Sequence, residues 1–347
     1  MHKIKQIPED FIVKEINDLE FNNSGLYSYF LLKKKNYNTL RAIETIADKL
    51  RINKKNIGFA GNKDKNAVTE QVISIKNSNK DIQNIKIKDI ELKYLGKGNE
   101  EIYLGRLKGN NFIITLRNLT KKEISTIEEK IKNNNISIPN YFGPQRFSNN
   151  NNLIGKAIIN NNFKEAVDLI IESNSDCNEK IKQHLQKQKN DFVGALKIIT
   201  FKLLKLYIHS YQSFLFNKAL EQYIGTINSK KIKNNELLNE NAKLSDGLIN
   251  VTLPIIGFGT EIEDNNIKKI INEIMNKENI NFRDFIIRAI PDLSSEGTER
   301  NTFIKVNNFK ITSKEEDELN KNKEKLTVSF SLPKGSYATV LVDWLFD

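Results

Sequence analysis

The stretch GFAGNKDKNAVTEQ, Gly58 to Gln71, places one carboxylate, Asp64, directly between Lys63 and Lys65. Neighbouring cations favour the charged form of a carboxylate. An ionised carboxylate serves as a nucleophile or as a general base. No second acid stands at close spacing in the loop, so the paired carboxylates of glycoside hydrolysis are not indicated. Gly-Asn-Lys-Asp is also ordinary turn chemistry. On local sequence alone, the solvated turn and the reactive carboxylate both stand.

A second constellation is PNYFGPQRF, Pro139 to Phe147, where Tyr141, Phe142 and Phe147 interleave with Asn140, Gln145 and Arg146. Unpaired bases bind by stacking on aromatic rings and by hydrogen bonds to their edges, with Arg serving the phosphate. Asn140 offers both a donor and an acceptor, which suits a uracil edge. An aromatic corner between two domains would use the same residues. GFGTE, Gly257 to Glu261, lacks the third glycine of a nucleotide-binding loop. It reads as a turn into a helix capped near Thr260 or Glu261, which removes the support a methyltransferase reading needs. KGSYATVLVDWL opens with a glycine turn and reads on as a strand, with Tyr337 at its start facing a cleft or the core. Lys33-Lys34-Lys35 and the group Lys230, Lys231 and Lys233 read as solvated faces, with RNA phosphate contact as the functional alternative.

Composition narrows the classes. The chain has 347 residues, room for two cores, and a net charge of +11. A basic excess of this size favours an anionic partner, nucleic acid first. Cys177 is the only cysteine, which excludes an intrachain disulfide and a thiolate zinc cluster. His2, His184 and His209 are far apart and form no metal-binding pair, so neither metal nor cofactor is expected. No apolar run approaches the ~20 residues of a membrane span. The start, MHKIKQIPEDF, has no apolar core of a signal peptide. A cytoplasmic soluble protein is the expectation.

The elements that must position these residues follow from periodicity. FIVKEI (Phe11–Ile16), LYSYFLLKK (Leu26–Lys34), NIGFAG, AVTEQVISI, IKDIELKYLG and NNFIITLRNL read as strands. NTLRAIETIADKLRI carries apolar residues at helical spacing, with Asn38 or Thr39 as the N-cap. KKEISTIEEKIKNNN is an amphipathic helix. From about Gly155 the chain turns helical, through IGKAIINNNFKEAVDLIIES and ALKIITFKLLKLYIHSYQSFLFNKALEQYI, and it returns to strands in TFIKVNNFKI and LTVSFSLPKGSYATVLVDWLF. A helical block between two β-rich pieces predicts an insertion. The boundaries read as 1–154 with 299–347 for one discontinuous domain and 155–298 for the other.

Taken together, PEDFIVKE, FAGNKDKNAVTEQ, LGRLKGNNFIITLR, PNYFGPQRF, SYQSFLFN and LPKGSYAT, in that order, resemble the TruD-type tRNA pseudouridine synthases. The resemblance spans most of the chain, and the segment outside SYQSFLFN in the insertion matches only loosely. It implies an α+β fold: a pseudouridine synthase domain with a mixed, mainly antiparallel sheet, plus an inserted α/β TruD domain. It also implies an enzyme that isomerises a uridine of tRNA to pseudouridine, most typically uridine 13 of the D-arm, without cofactor or metal. By the same resemblance Asp64 is the nucleophile and Lys5, just before PEDF, its neighbouring cation. Phe11, Asn140, Phe142 and Tyr337 are then the residues around the target base. The chain departs from the family in carrying Asp343-Trp344 where an Arg-Glu pair usually follows GSYAT. The expected partner is tRNA, with no membrane, and the expected state a monomer. Another RNA target, or a non-catalytic RNA-binding or chaperone protein on the same scaffold, is the alternative.

Overall fold

The computed structural model describes residues 2–132, 136–173, 177–233 and 251–347, without the side chains of 149 and 228–233. The basic group Lys230, Lys231 and Lys233 therefore lies outside the described side chains. In chain order the elements begin with β1 (Phe11–Ile16), β2 (Tyr27–Lys35), α1 (Thr39–Leu50), β3 (Ile57–Phe59), β4 (Val68–Lys76), β5 (Ile90–Gly98), β6 (Gly109–Leu119), α2 (Lys121–Lys130) and β7 (Ser137–Pro139). There follow α3 (Asn151–Ile159), α4 (Phe163–Glu172), α5 (Asn178–Lys187), α6 (Phe192–Lys197), α7 (Phe201–Lys233), β8 (Thr252–Ile255), α8 (Asn265–Glu278), β9 (Thr298–Asn301) and β10 (Phe303–Lys305). The chain closes with β11 (Asn307–Glu316), β12 (Glu324–Pro333) and α9 (Ala338–Phe346). Among the described residues no helix is long and apolar enough to cross a membrane.

The chain divides into two compact units, Met1–Ser137 with Lys305–Asp347, and Ile138–Ile304. The break lies ahead of the one expected after residue 154. The reason is that Ile154, Ala157 and Ile158 of α3 are core residues of the second unit. Helix α3 approaches α7 so closely that a Cβ on Gly155 would lie 2.1 Å from the Tyr207 carbonyl oxygen. The return lies after residue 304 instead of 298, because β9 pairs antiparallel with β8 inside the second unit.

The first unit is built on an eight-stranded sheet, ordered β11-β12-β6-β1-β4-β2-β5 with β3 added on β4. Among the described residues its pairings are antiparallel except β1 with β4, so the sheet is mixed and mainly antiparallel, as an α+β fold predicts. Helix α1 forms where expected and is capped by Asn38, whose side-chain oxygen accepts from the Arg41 N–H. Its stripe of Ala42, Ile43, Ile46 and Ala47 packs on Phe30, Leu32, Ile73 and Ile75 of the sheet. Burial of each such aliphatic side chain is worth about 1.5–3 kcal/mol.

The tail after Tyr337 is the element that sequence reading assigns wrongly. ATVLVDWLF is helix α9, with Ala338, Leu341, Val342 and Leu345 buried at helical spacing. A short, almost wholly apolar run carries no period of its own, and packing decides it. Asp343 and Trp344 lie in this helix; Lys130 Nζ of α2 donates to the Trp344 carbonyl at 2.6 Å and sits 4.6 Å above its ring. The cap expected at Thr260 or Glu261 falls instead on Asp264, which accepts from the N–H groups of Asn266 and Ile267.

Arg117, near the end of β6, ties the first and last segments of this unit together. Its buried guanidinium donates to Asp10 and Asp317 at 2.8 Å and to Glu318 at 3.0 Å. Its backbone pairs with Lys3 in both directions. Burial works against the charge on Asp317. The N–H groups of Asn118 and Leu319, with Asn320 and Arg117, nevertheless hold its carboxyl below the ordinary value of 3.8. Replacing Arg117 by Met strands two buried carboxylates, and a loss of about 3–5 kcal/mol is expected, read as a lower urea midpoint at pH 7. The wild type should also lose stability as pH falls below 3.8, where the paired carboxylate takes up a proton. The variant should lose less over the same range.

Candidate active site

The loop between β3 and β4 carries Asp64. It enters through Gly58, where any Cβ would lie 2.2 Å from the Ile102 carbonyl oxygen, so only glycine passes. Gly61, the glycine nearer Asp64, is under no such constraint. Beyond it the backbone is clamped residue by residue. Gln71 Nε2 donates to the Gly61 carbonyl at 3.1 Å, and Thr39 Oγ1 donates to Gln71 Oε1 at 3.1 Å. Thr39 Oγ1 also accepts the Lys63 N–H at 2.9 Å. Lys34 Nζ donates to the Asp64 carbonyl at 3.0 Å and to the Tyr37 carbonyl. Each of these partners of the loop backbone comes from the sheet or from the first turn of α1, so the loop is fixed by rigid elements.

Onto this loop Lys5 projects its ammonium. Lys5 Nζ donates to Asp64 Oδ2 at 2.8 Å and sits 4.0 Å from the Phe11 ring centroid. Lys5 holds this position with a left-handed backbone, φ 56°. That conformation is unfavourable for a lysine by about 1–3 kcal/mol and persists only where the surroundings impose it. The surroundings here are the Lys3–Arg117 backbone pair before it and the Asp10 carboxylate after it, which accepts from the Ile7 N–H at 3.0 Å. Phe11 is buried in β1 and forms the surface under the Lys5 ammonium. Tyr337 is the residue preceding α9 in the same unit. The structure thus brings Asp64, Lys5 and Phe11 into one cluster.

Two cations differ from their sequence reading. Lys63 is not a solvated turn residue: its ammonium pairs with Glu15 at 2.8 Å, and the two side chains are 5% and 1% exposed. Lys34 is not on a solvated face either, being 1% exposed. The signal was in the strand alternation. Lys34 is paired with Thr69, and it shares a sheet face with Leu32 and Phe30 at period two. The Lys-rich composition masked it. Glu15, Thr39 and Gln71 carry no chemistry in a local reading, and their roles exist only through pairing across the sheet.

Asn140 and Phe142 lie in the second unit and are organised there by Arg300 of β9. The guanidinium donates to Asn140 Oδ1 at 2.6 Å and to its carbonyl at 3.0 Å. Asn140 Nδ2 donates to the Asn301 carbonyl at 2.9 Å. The same guanidinium lies 4.1 Å from the centroid of the Phe142 ring. Asn217 of α7 accepts the Phe142 N–H and donates to its carbonyl, both at 2.9 Å. Arg300, in TERNTF, gives no sequence signal, since it stands 160 positions from Asn140.

The family model for tRNA pseudouridine synthase D (TruD) matches residues 2–183 and 172–343. The chain belongs to the TruD family. It is 32% identical to "Probable tRNA pseudouridine synthase D" of Methanosarcina acetivorans, over 98% of this chain and 91% of the relative. It is 30% identical to tRNA pseudouridine synthase D of Aquifex aeolicus, over 99% of this chain and 98% of the relative. Its fold matches a crystal structure from Methanosarcina mazei described as TruD, with a TM-score of 0.72 and 29% identity, over 98% of this chain and 92% of that one. As a TruD-family member the chain is a pseudouridine synthase, an isomerase.

The backbone of the Asp64 loop rests on a buried ammonium, that of Lys34. Burial pushes Lys34 down to about 8, the Asp64 charge opposes the fall, and Lys63 adds to it. Between about 8 and the ordinary 10.5, the unfolded chain keeps a proton that the folded one has released. Folding stability from this group therefore rises with pH across that window, while the loop loses its ammonium. Lys34→Met is expected to lower turnover at least tenfold in a folded protein. Wild-type activity should fall as pH rises through about 8, and that limb should be absent from the residual activity of the variant, measured as pH–rate profiles.

Proposed function

We propose that this TruD-family enzyme isomerises a specific uridine of tRNA to pseudouridine, with Asp64 as the reacting carboxylate and uridine 13 of the D-arm as the target. The Lys5–Asp64 ion pair carries the reading. Lys5 holds Oδ2 at 2.8 Å, Oδ1 has no hydrogen-bond partner among the described residues, and the side chain is 31% exposed. A reacting carboxylate needs that combination of held charge, fixed orientation and one open oxygen.

The reaction breaks the bond from ribose C1′ to uracil N1 and makes one from C1′ to C5. The C5 proton is released and N1 gains one, so the change is an isomerisation. An open carboxylate oxygen serves each route to it: bonding to C1′, bonding to C6, or taking the C2′ proton. The uridine must first leave its stack, at a cost of a few kcal/mol. In this reading Phe142 and Tyr337 are residues that contact the displaced base. Asn140 meets its edge with the hydrogen-bonding capacity left over from Arg300 and Asn301. Phe11 is the apolar support that keeps the Lys5 ammonium directed at Asp64.

Asp64→Asn is expected to bind unmodified tRNA with near wild-type affinity and to form no pseudouridine, read by tritium release or by carbodiimide primer stops. Substantial product from that variant would sink the assignment. Phe142→Ala should lose turnover a hundredfold or more with a modest change in RNA affinity. A collapse of affinity at unchanged turnover per bound complex would refute the stacking role.

A further inference from the structure

The first unit holds two large apolar side chains in solvent, one after the other. Tyr103 is 61% exposed and Leu104 59%, on the connection between β5 and β6. The Arg106 N–H donates to the Tyr103 carbonyl at 3.0 Å, and Gly105 follows Leu104 with φ 94°. A β-turn with a positive φ at its third residue is of type II, and glycine supplies that conformation without strain. Just before the turn, Ile102 is buried in a cluster with Ala60, Tyr29 and Val72, and its N–H donates to Ser74 Oγ at 3.0 Å. The turn is therefore a fixed tip, and its exposure is built in. Apolar residues exposed singly are ordinary, whereas adjoining ones held outward by rigid backbone mark a surface for a partner.

The tip is tied to the segments that carry Asp64 and Tyr337. The Gly105 N–H donates to the Ala60 carbonyl at 2.7 Å. Ala60 stands four residues before Asp64, a reach of at most about 14 Å. Lys334 Nζ donates to the Gly105 carbonyl at 3.2 Å, and the Lys334 N–H donates to the Lys108 carbonyl at 3.0 Å. Lys334 stands three residues before Tyr337. The charges around the tip fall into two groups. Arg106 is paired with Glu100 and Asp18, and Lys108 also meets Asp18, at 3.3 Å. Lys334 is exposed and forms no ion pair among the described residues. An ammonium has three donors, so Lys334 keeps two beyond the one it gives to Gly105.

We propose that the Tyr103–Leu104 tip is a stacking platform for an unpaired nucleotide of the substrate RNA beside the target uridine, with Lys334 taking its phosphate. The inference rests on the proposed tRNA substrate and on Asp64 as the reacting carboxylate, and it deepens that reading by assigning a second base contact. Displacing the target uridine from its stack removes a stacking partner from each neighbouring base. An aromatic ring exposed within a short reach of the reacting carboxylate replaces that partner. It does so for any base, because every base has a π face. Tyrosine suits the position, with a flat apolar ring to offer and a hydroxyl that stays in water. Leu104 widens the apolar surface beside the ring.

The test uses the full chain and an unmodified tRNA transcript. Tyr103→Ala should weaken binding roughly fivefold to a hundredfold and raise KM more than it lowers kcat. It should leave the slope of log affinity against log salt unchanged, since stacking releases no phosphate counterions. Tyr103→Phe keeps the ring and should stay within about twofold of wild-type affinity. Lys334→Gln should instead flatten the salt slope by roughly 0.7–0.9. Both positions are exposed, so the urea midpoints should match wild type. Leu319→Ala, an exposed apolar truncation on another turn of the same unit, is the control and should bind as wild type does. Wild-type affinity in Tyr103→Ala, or an equal loss in Tyr103→Phe, would overturn the platform while the wild-type enzyme still makes pseudouridine. A wild-type dimer in sedimentation that Tyr103→Ala dissociates would overturn it too, since the tip would then serve a second copy of the chain. A wild-type protein that neither binds nor modifies tRNA would overturn the functional reading and the platform together.

Discussion

The site depends on one ion pair between residues 59 positions apart, Lys5 and Asp64. Lys5 is forced into a left-handed backbone by what brackets it, and Asp64 sits on a loop whose carbonyls are bonded to strands and whose Lys63 N–H is bonded to a helix start. An ion pair with this much exposure contributes little to stability by itself. Its geometry is fixed because the cost of ordering both segments is met elsewhere in the unit, in the apolar packing of α1 on the sheet and in the Arg117 cluster.

The support of the loop is polar, and this is a departure from the rest of the core. Along one sheet face, Phe30, Leu32, Ile73 and Ile75 give way to Lys34, Thr69, Gln71 and Glu15. A hydrophobic floor would pack as well and would not require burying charges. It would also leave the carbonyls of Gly61 and Asp64 and the N–H of Lys63 without partners. The buried pairs thus select one loop conformation, and that selection is their most direct consequence. Glu15 Oε1 and Thr69 Oγ1 are buried without a partner among the described residues, on the same polar face.

In the second unit a single cation plays the comparable part. Arg300 satisfies Asn140 through two hydrogen bonds and covers the Phe142 ring, so the fold itself orients both residues, as the proposed base contact requires. Preorganisation of this kind lowers the ordering cost of binding. Helix α7 fixes the same segment from the other side through Ser213 and Asn217. The aromatic corner that PNYFGPQRF suggests from sequence and the base site that the family suggests are therefore not exclusive: Phe142 also meets Phe216 edge to face at 5.6 Å.

Sequence alone determined the strands of the sheet, α1 with its Asn38 cap, and the choice of Asp64 with Lys5, the latter through ordered motif blocks. Periodicity and capping are local, so a linear reading finds them. It could not determine that ATVLVDWLF is a helix, because an apolar run fits either period until its neighbours are known. Nor could it place Lys34, Lys63 and Glu15 beneath the loop, or Arg300 beside Asn140. Those contacts join residues 30 to 160 positions apart. A buried lysine and a solvated one have the same letter, and only strand pairing and packing decide which of them stays in water.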